Sequence, residues 1–188
     1  MAKMDAQLTK LTNLIIDLLD ISKIESGKLR FTPDNFWFDD MVKEVVEEMQ
    51  RITNKHSIKI QGKAHNRIYA DRERVGQVVI NFISNSIKYS PEADTIIVHI
   101  AAAKTHVQLC VEDFGVGIPR EKQARVFERF YRVSGPKEDT YPGLGLGLYI
   151  SAEIIKRQNG KIWVESQKGK GSRFCFSLPI KRDVRVKT

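Results

Sequence analysis

The sequence predicts an α+β domain, a two-layer sandwich in which a mixed, mostly antiparallel sheet is covered on one face by helices, preceded by one apolar N-terminal helix. Hydrophobic spacing alternates along the chain between helical and strand periods, which is the primary local signal. The strand-like runs come in hairpin pairs instead of a repeating β-α-β order, which points to α+β and away from a doubly wound parallel sheet. A length of 188 residues with 41% hydrophobic content suits one ordinary domain plus a short appendage.

Leu8, Leu11, Ile15, Leu18 and Ser22 follow steps of three and four, and Leu14, Leu19, Ile21 and Ile24 widen the stripe. A helix this apolar is expected to pair with another helix or with a copy of itself, and Gly27 supplies its stop near Ser26. Pro33 breaks the pattern, and Phe36–Trp37–Phe38 follows as a short strand. Asp39 or Asp40 is then expected to cap a helix carrying Met41, Val42, Val45, Val46 and Met49 on one face. Residues 57–61 and 67–70 alternate as strands, and a hairpin is expected across residues 62–66. Asp71 caps the next helix, which ends before Pro91. Residues 95–102 and 106–112 form a hairpin around Lys104 and Thr105, and a helix is expected from about residue 120 to 130. After a polar loop at 133–142, residues 143–147 lead into a helix reaching about Gln158, and residues 161–166 and 172–179 close the chain as a last hairpin.

A net charge of +8 would suit nucleic acid or an anionic surface, but the basic residues are scattered apart from the tail residues Lys181, Arg182, Arg185 and Lys187. No groove-reading motif accompanies the charge, so no nucleic-acid partner is expected. Cys110 and Cys175 lie in apolar strand runs without metal spacing, which predicts two core thiols in a reducing compartment. No apolar run approaches the roughly 20 residues of a membrane span, and a soluble cytoplasmic portion is expected, whose parent protein could be membrane-anchored. His56, His65, His99 and His106 fall in turns or strands with no partner carboxylate at acid–base spacing, and all four are expected to be structural or surface residues.

Four stretches carry chemistry. In residues 77–91 the apolar Val78, Val79, Phe82, Ile83 and Ile87 form one helical face, and Asn81, Asn85 and Lys88 recur on another. Carboxamide oxygens can ligate a metal and an ammonium can meet phosphate, as a magnesium nucleotide requires. A β run ends on Asp113 and passes into Gly115 and Gly117, placing an acceptor for an exocyclic amine beside backbone that a ligand can approach. Gly143, Gly145 and Gly147 alternate before a helix, where backbone amides converge on an anion. They do not complete GxGxxG, and no P-loop is present. Phe127 and Phe130 are spaced for packing, with Arg129 and Arg132 projecting at the same interval.

In this order, NFISNSIKYSP, VEDFGVGIP, VFERFYRV and GLGLGLYI resemble the N box, first glycine box, F box and second glycine box of bacterial sensor histidine kinases. LLDISKIESGKL resembles the end of the second helix of their dimerisation and phosphotransfer bundle, so the likeness covers about residues 8–180. It implies that residues 1–30 are bundle helix and residues 31–188 the catalytic ATP-binding domain, with the Bergerat fold shared by type II topoisomerases, Hsp90 chaperones and MutL-type repair proteins. It implies ATP and Mg2+ as cofactors, with Asn85 as metal ligand supported by Asn81, Lys88 on phosphate and Tyr89 lining the nucleotide. Asp113 would take the adenine amino group, with Gly115, Gly117, Ile118 and Phe130 around the base. Gly143, Leu144, Gly145, Leu146, Gly147 and Leu148 would surround the triphosphate under a lid at 133–142, and Arg132, with Arg129 beside it, would assist the γ-phosphate. Implied partners are a phosphoacceptor-histidine helix, a response regulator, and a second copy joined through the N-terminal helix. No histidine precedes His56, so the sequence is expected to bind ATP without being able to phosphorylate itself. The alternatives are a hydrolase of the same fold, in which a glutamate base would stand in place of Asn81, and a nucleotide-dependent binding module without catalysis.

Overall fold

The computed structural model describes residues 2–133 and 144–180. The elements follow as α1 (Ala2–Glu25), β1 (Asp34–Trp37), α2 (Phe38–Ile52), β2 (Ser57–Gly62), β3 (Arg67–Ala70), α3 (Arg72–Tyr89), β4 (Thr95–Ala102) and β5 (His106–Asp113). After β5 come α4 (Arg120–Gln123), α5 (Gly147–Arg157), β6 (Lys161–Gln167) and β7 (Gly171–Pro179). A five-stranded sheet has the order β2-β4-β5-β7-β6, with β2 parallel to β4 and every other pair antiparallel. The expected mixed sheet and helical layer are both present.

Alternation sorts the strand residues between two faces. Ile96, Val98 and Ile100 of β4, Val107, Leu109 and Val111 of β5, and Phe174, Phe176 and Leu178 of β7 point into the core. Against them lies α3, which packs on both α2 and α5 and buries Val75, Val78, Val79, Phe82 and Ile83. Phe82 is fully buried, with its ring 5.7 Å from Phe174 and 6.1 Å from Phe176. Burying one such side chain contributes about 2 kcal/mol. Because α3 is anchored along its whole apolar stripe, its opposite side is a fixed platform.

Asp71 caps α3 as the sequence predicts, accepting from the Arg74 amide at 3.0 Å, and the helix ends at Tyr89 before Pro91. α1 ends at Glu25, with Gly27 at φ +66°. Its last turns dock on the domain: Ile21 and Ile24 are buried, and the nearly buried Asp20 accepts from Arg74 at 2.8 Å and from Gln77 at 3.1 Å. Leu11, Ile15, Ile16, Leu18 and Leu19 remain exposed along the same helix.

Several expectations are corrected. The hairpin across residues 62–66 does not form: β2 joins β4 in parallel and β3 pairs with β1 in a separate two-stranded sheet. Asp39 is responsible in part, because it does not cap α2 but accepts from the amides of Ala64 and His65, steering the chain out of a tight turn. Phe38 starts α2 instead of ending β1. The helix expected at 120–130 is the single turn α4 followed by irregular turns, and Phe130 at φ +60° leaves the helical region altogether. Cys110 and Cys175 are not two free thiols but a disulfide, since the β5–β7 register sets them directly opposite with Cα atoms 4.1 Å apart. His99 does have a carboxylate partner, with Nε2 2.7 Å from Glu112 Oε2. That pair is the diagonal neighbour created by the β4–β5 register, on the sheet face turned away from the helices. Lys181, Arg182, Arg185 and Lys187, and the loop segment 134–143 with Gly143, lie outside the described residues.

Candidate nucleotide site

The inner face of β5 is apolar through Val111 and then ends in a carboxylate, Asp113, only 3% exposed. Its Oδ1 accepts from the Gly115 amide at 2.9 Å and from the Ser172 amide at 3.3 Å. Both bonds fall on one oxygen, leaving Oδ2 to accept from a ligand. Burial is the main cause that raises the Asp113 pKa, opposed by those two amides and assisted by neighbouring Glu112; together they bring it to about 6.

The sign of that shift gives a test. The folded chain holds this proton more tightly than the unfolded one, for which 3.8 is the ordinary value, so the contribution of Asp113 to stability is complete below 3.8 and is lost as pH rises through about 6. Urea midpoints measured from pH 4 to 7 are expected to carry that falling component in the native chain and to lack it in Asp113→Asn. Equal pH dependence in the two would exclude it.

Gly115 brings the end of α3 against this carboxylate. A Cβ there would stand 2.0 Å from the Tyr89 carbonyl oxygen, so only glycine fits. The Val116 amide donates to that same carbonyl at 3.2 Å. Tyr89 and Lys88 are thereby fixed at the rim, with the Lys88 ammonium 4.7 Å from the centre of the Tyr89 ring. Gly117 turns the chain at φ +65°, and Ile118 is held where its amide donates to Ser166 Oγ at 2.7 Å.

Three residues further up α3 the polar stripe meets α5. The Asn85 amide donates to Asn81 Oδ1 at 3.4 Å, and the Asn81 amide donates to Ser151 Oγ at 2.9 Å. The first turn of α5 abuts Asn81: a Cβ on Gly147 would lie 2.5 Å from Asn81 Oδ1. These bonds orient both carboxamides and leave Asn85 Oδ1 as a carbonyl-type oxygen ligand. Leu146 is buried, Leu144 is 40% exposed, and Gly145 at φ +71° packs beside the Arg132 side chain and the Tyr131 carbonyl. Leu148 is partly buried against the core.

The F-box residues divide. Phe127 packs edge-on to Phe174 with centroids 6.5 Å apart, whereas Phe130 is 55% exposed and does not share that packing. Arg129 pairs with Glu25 of α1, while Arg132 lies at Gly145.

Ser166, Ser172, Gln123 and Ser151 were not legible as site residues. Ser166 Oγ donates to the Gly171 carbonyl at 2.8 Å and lies 3.0 Å from Ser172 Oγ, and Gln123 Nε2 donates to the carbonyls of Ile118 and Ser166. Ser166 on β6, Ser172 on β7 and Gln123 on α4 brace the turn that follows Asp113. The available signal was the register of the last hairpin, which places Ser172 opposite Asp113 only after β5 is paired with β7.

A buried acceptor at a strand end, two oriented carboxamides on a helix and a glycine-bearing helix start together make up the candidate nucleotide site of this α+β sandwich. The chain belongs to the histidine kinase-, DNA gyrase B-, and HSP90-like ATPase family, whose model matches residues 70–182. It is 37% identical over 182 residues to the adaptive-response sensory kinase SasA of Crocosphaera subtropica, covering 94% of this chain and 47% of that protein. It is 31% identical over 178 residues to the sensor histidine kinase WalK of Bacillus subtilis, covering 93% of this chain and 29% of that protein. The chain therefore spans less than half the length of these relatives. Among solved structures, the catalytic domain of histidine kinase ThkA aligns with a TM-score of 0.65 and 30% identity, over 79% of this chain and 98% of that one. Full-length ShkA, solved in complex with AMPPNP, shares the fold with a TM-score of 0.77 at 24% identity, over 92% of this chain and 36% of that one. Among the described residues no helix is long and apolar enough to cross a membrane.

Proposed function

We propose that this chain is the ATP-binding catalytic part of a sensor histidine kinase, with residues 1–30 as the second helix of its bundle and residues 31–188 as the catalytic domain. The observation that carries this is Asp113, a buried carboxylate with one oxygen held by two backbone amides and the other left to accept from an adenine amino group. Gly115, Gly117 and Ile118 wall the base, and Tyr89 and Phe130 flank the nucleotide. Lys88 meets phosphate, while Gly145, Gly147 and the leucines Leu144, Leu146 and Leu148 shape the start of α5 around it, with Gly143 completing the series. Asn85 would hold Mg2+ through its carboxamide oxygen, oriented by Asn81, and the oxygen-only donor chemistry suits that ion. When bound, the ion supplies neutralisation of phosphate charge.

Catalysis in this arrangement is positioning and charge stabilisation, with Arg132 beside Gly145 as the residue for the γ-phosphate. Arg129 is assigned away from that role, because it is paired with Glu25. Asn81 donates to Ser151 and cannot act as a base for water, which favours transfer over hydrolysis. The partners in this reading are a phosphoacceptor-histidine helix, a response regulator, and a second copy meeting the exposed leucines and isoleucines of α1; the site of action is the cytoplasm. The test is transfer in trans: with γ-labelled ATP, label is expected on a supplied acceptor-helix domain of a related kinase, with slow steady-state hydrolysis. Brisk hydrolysis with no label on the acceptor would overturn the kinase assignment.

A further inference from the structure

The sheet face turned away from the helices holds chemistry that the nucleotide site does not use. On β5 it carries Gln108, Cys110 and Glu112, and on β7 Arg173, Cys175 and Ser177, since alternate strand residues share a face. Cys110 and Cys175 stand opposite each other and are joined as a disulfide. The flanking strands complete one row across the sheet, with His99 of β4 opposite Cys110 and Trp163 of β6 opposite Cys175. Both cysteines are enclosed, at 1% and 0% exposure, and the Gln108 amide donates to Cys110 Sγ at 3.3 Å. Away from the helices, that enclosure is made, among the described residues, by neighbouring side chains, which turn aside without the sheet opening.

The strands joined here are the two that build the Asp113 corner. Asp113 and Ser172 face each other three rungs beyond the disulfide, about 10 Å along the strands. The Ser172 amide reaches Asp113 Oδ1 at 3.3 Å, the longer of the two bonds on that oxygen, so it is the first to be lost if β5 and β7 part. The strands are already tight there, because a Cβ on Gly171 would lie 1.9 Å from the Asp113 carbonyl oxygen.

We propose that Cys110–Cys175 is a reversible redox site, exchanged with dithiol reductants, that holds the Asp113–Ser172 corner closed when oxidised and loosens it when reduced; its effect on nucleotide rests on the nucleotide-binding reading above. In the compartment proposed there thiols are kept reduced, and a disulfide is a transient, responsive bond instead of a permanent staple. A thiolate of the dithiol attacks one sulfur, breaking the Cys110–Cys175 bond and forming a mixed disulfide. The second thiol of the dithiol then displaces the cysteine and closes a cyclic disulfide, so two electrons and two protons pass to the cysteines, which end as thiols. Sulfurs that touch without a bond stand farther apart than bonded ones, and a closely packed row between His99 and Trp163 transmits that change to the strands. Trp163 reports the state, because a disulfide quenches an adjacent indole, while the second tryptophan, Trp37, belongs to the separate two-stranded sheet.

The test takes the native chain through a series of reduced and oxidised dithiothreitol ratios without denaturant. Tryptophan emission is followed, thiols are counted after acid quench by maleimide mass shift, and ATP affinity is measured by calorimetry at the two ends. The chain is expected to pass from no thiols to two, with emission rising over the same midpoint and ATP affinity falling about threefold to tenfold on reduction. Trp163→Phe should gain the same two thiols with little change in emission. The double variant Cys110→Ser with Cys175→Ser should bind ATP as the reduced native chain does and ignore dithiothreitol; if it does not fold, the two ends of the native series still decide. A bond that resists dithiothreitol until the chain is denatured, two thiols throughout the series, or equal ATP affinity at both ends would each overturn the inference. Failure of the native chain to bind ATP in either state would instead remove the nucleotide reading and the corner's role in it, and the thiol count and emission would then decide the redox site by themselves.

Discussion

Asp113→Asn is expected to keep the fold and lose ATP. The asparagine carbonyl can still accept from the Gly115 and Ser172 amides, so the turn stays closed. Its NH2 group then occupies the place of Oδ2 and presents donors to an amino group that also donates. A hydrogen bond to a charged acceptor is replaced by a donor–donor clash, which corresponds to about a 10- to 150-fold loss of affinity. The same substitution should favour a base with a carbonyl at that position, so inosine triphosphate is expected to bind Asp113→Asn better than ATP does. Asp113→Ala is a harsher change because it orphans both amides, and its melting temperature should fall as well. Calorimetry with the two triphosphates decides the matter: an asparagine variant that binds ATP as the native chain does would remove Asp113 from the base pocket.

Asn85→Ala should have the largest effect on phosphoryl transfer. Of the Asn81–Asn85 pair it removes the carboxamide oxygen that accepts no hydrogen bond among the described residues, and with it the proposed ligand for Mg2+. Transfer to a supplied acceptor is expected to fall by about two orders of magnitude or more, because charge neutralisation and alignment of the γ-phosphate are lost together. ATP binding in the presence of a chelator should change little, since the base contacts are untouched. Asn85→Asp restores an oxygen ligand and should recover magnesium-dependent binding. Full transfer by the alanine variant, or an equal loss of chelator-insensitive binding, would contradict this assignment.

Both outcomes depend on geometry that the sequence supplied unevenly. The α3 helix, its Asp71 cap, its end before Pro91 and its division into packed and polar faces were legible, because each follows from local spacing and from residue types with one dominant conformational use. The hairpins β4–β5 and β6–β7 were legible for the same reason: short polar turns between alternating runs leave little choice of partner. The ordered motifs at Asn81, Asn85, Asp113 and Gly147 identified the candidate site without any contact being known.

Long-range pairing was another matter. β2 crosses to β4 in parallel, and Asp39 answers amides 25 and 26 residues away; neither choice has a local signature. Cys110 and Cys175, separated by 65 positions, could be read only as buried thiols until the β5–β7 register set them side by side. That register also brought Ser172 to the Asp113 carboxylate, while the β4–β5 register made His99 and Glu112 a pair. Taken by itself, the sequence determined which residues carry the chemistry proposed for nucleotide binding, because carboxamides, a strand-end acid and glycines carry that chemistry wherever they fall. Only the tertiary structure decided which oxygen of Asp113 remains available, that Arg129 answers Glu25, and that Ser86 is buried without a hydrogen-bond partner among the described residues, because burial and hydrogen-bond satisfaction are properties of packed surfaces and belong to no single stretch of chain.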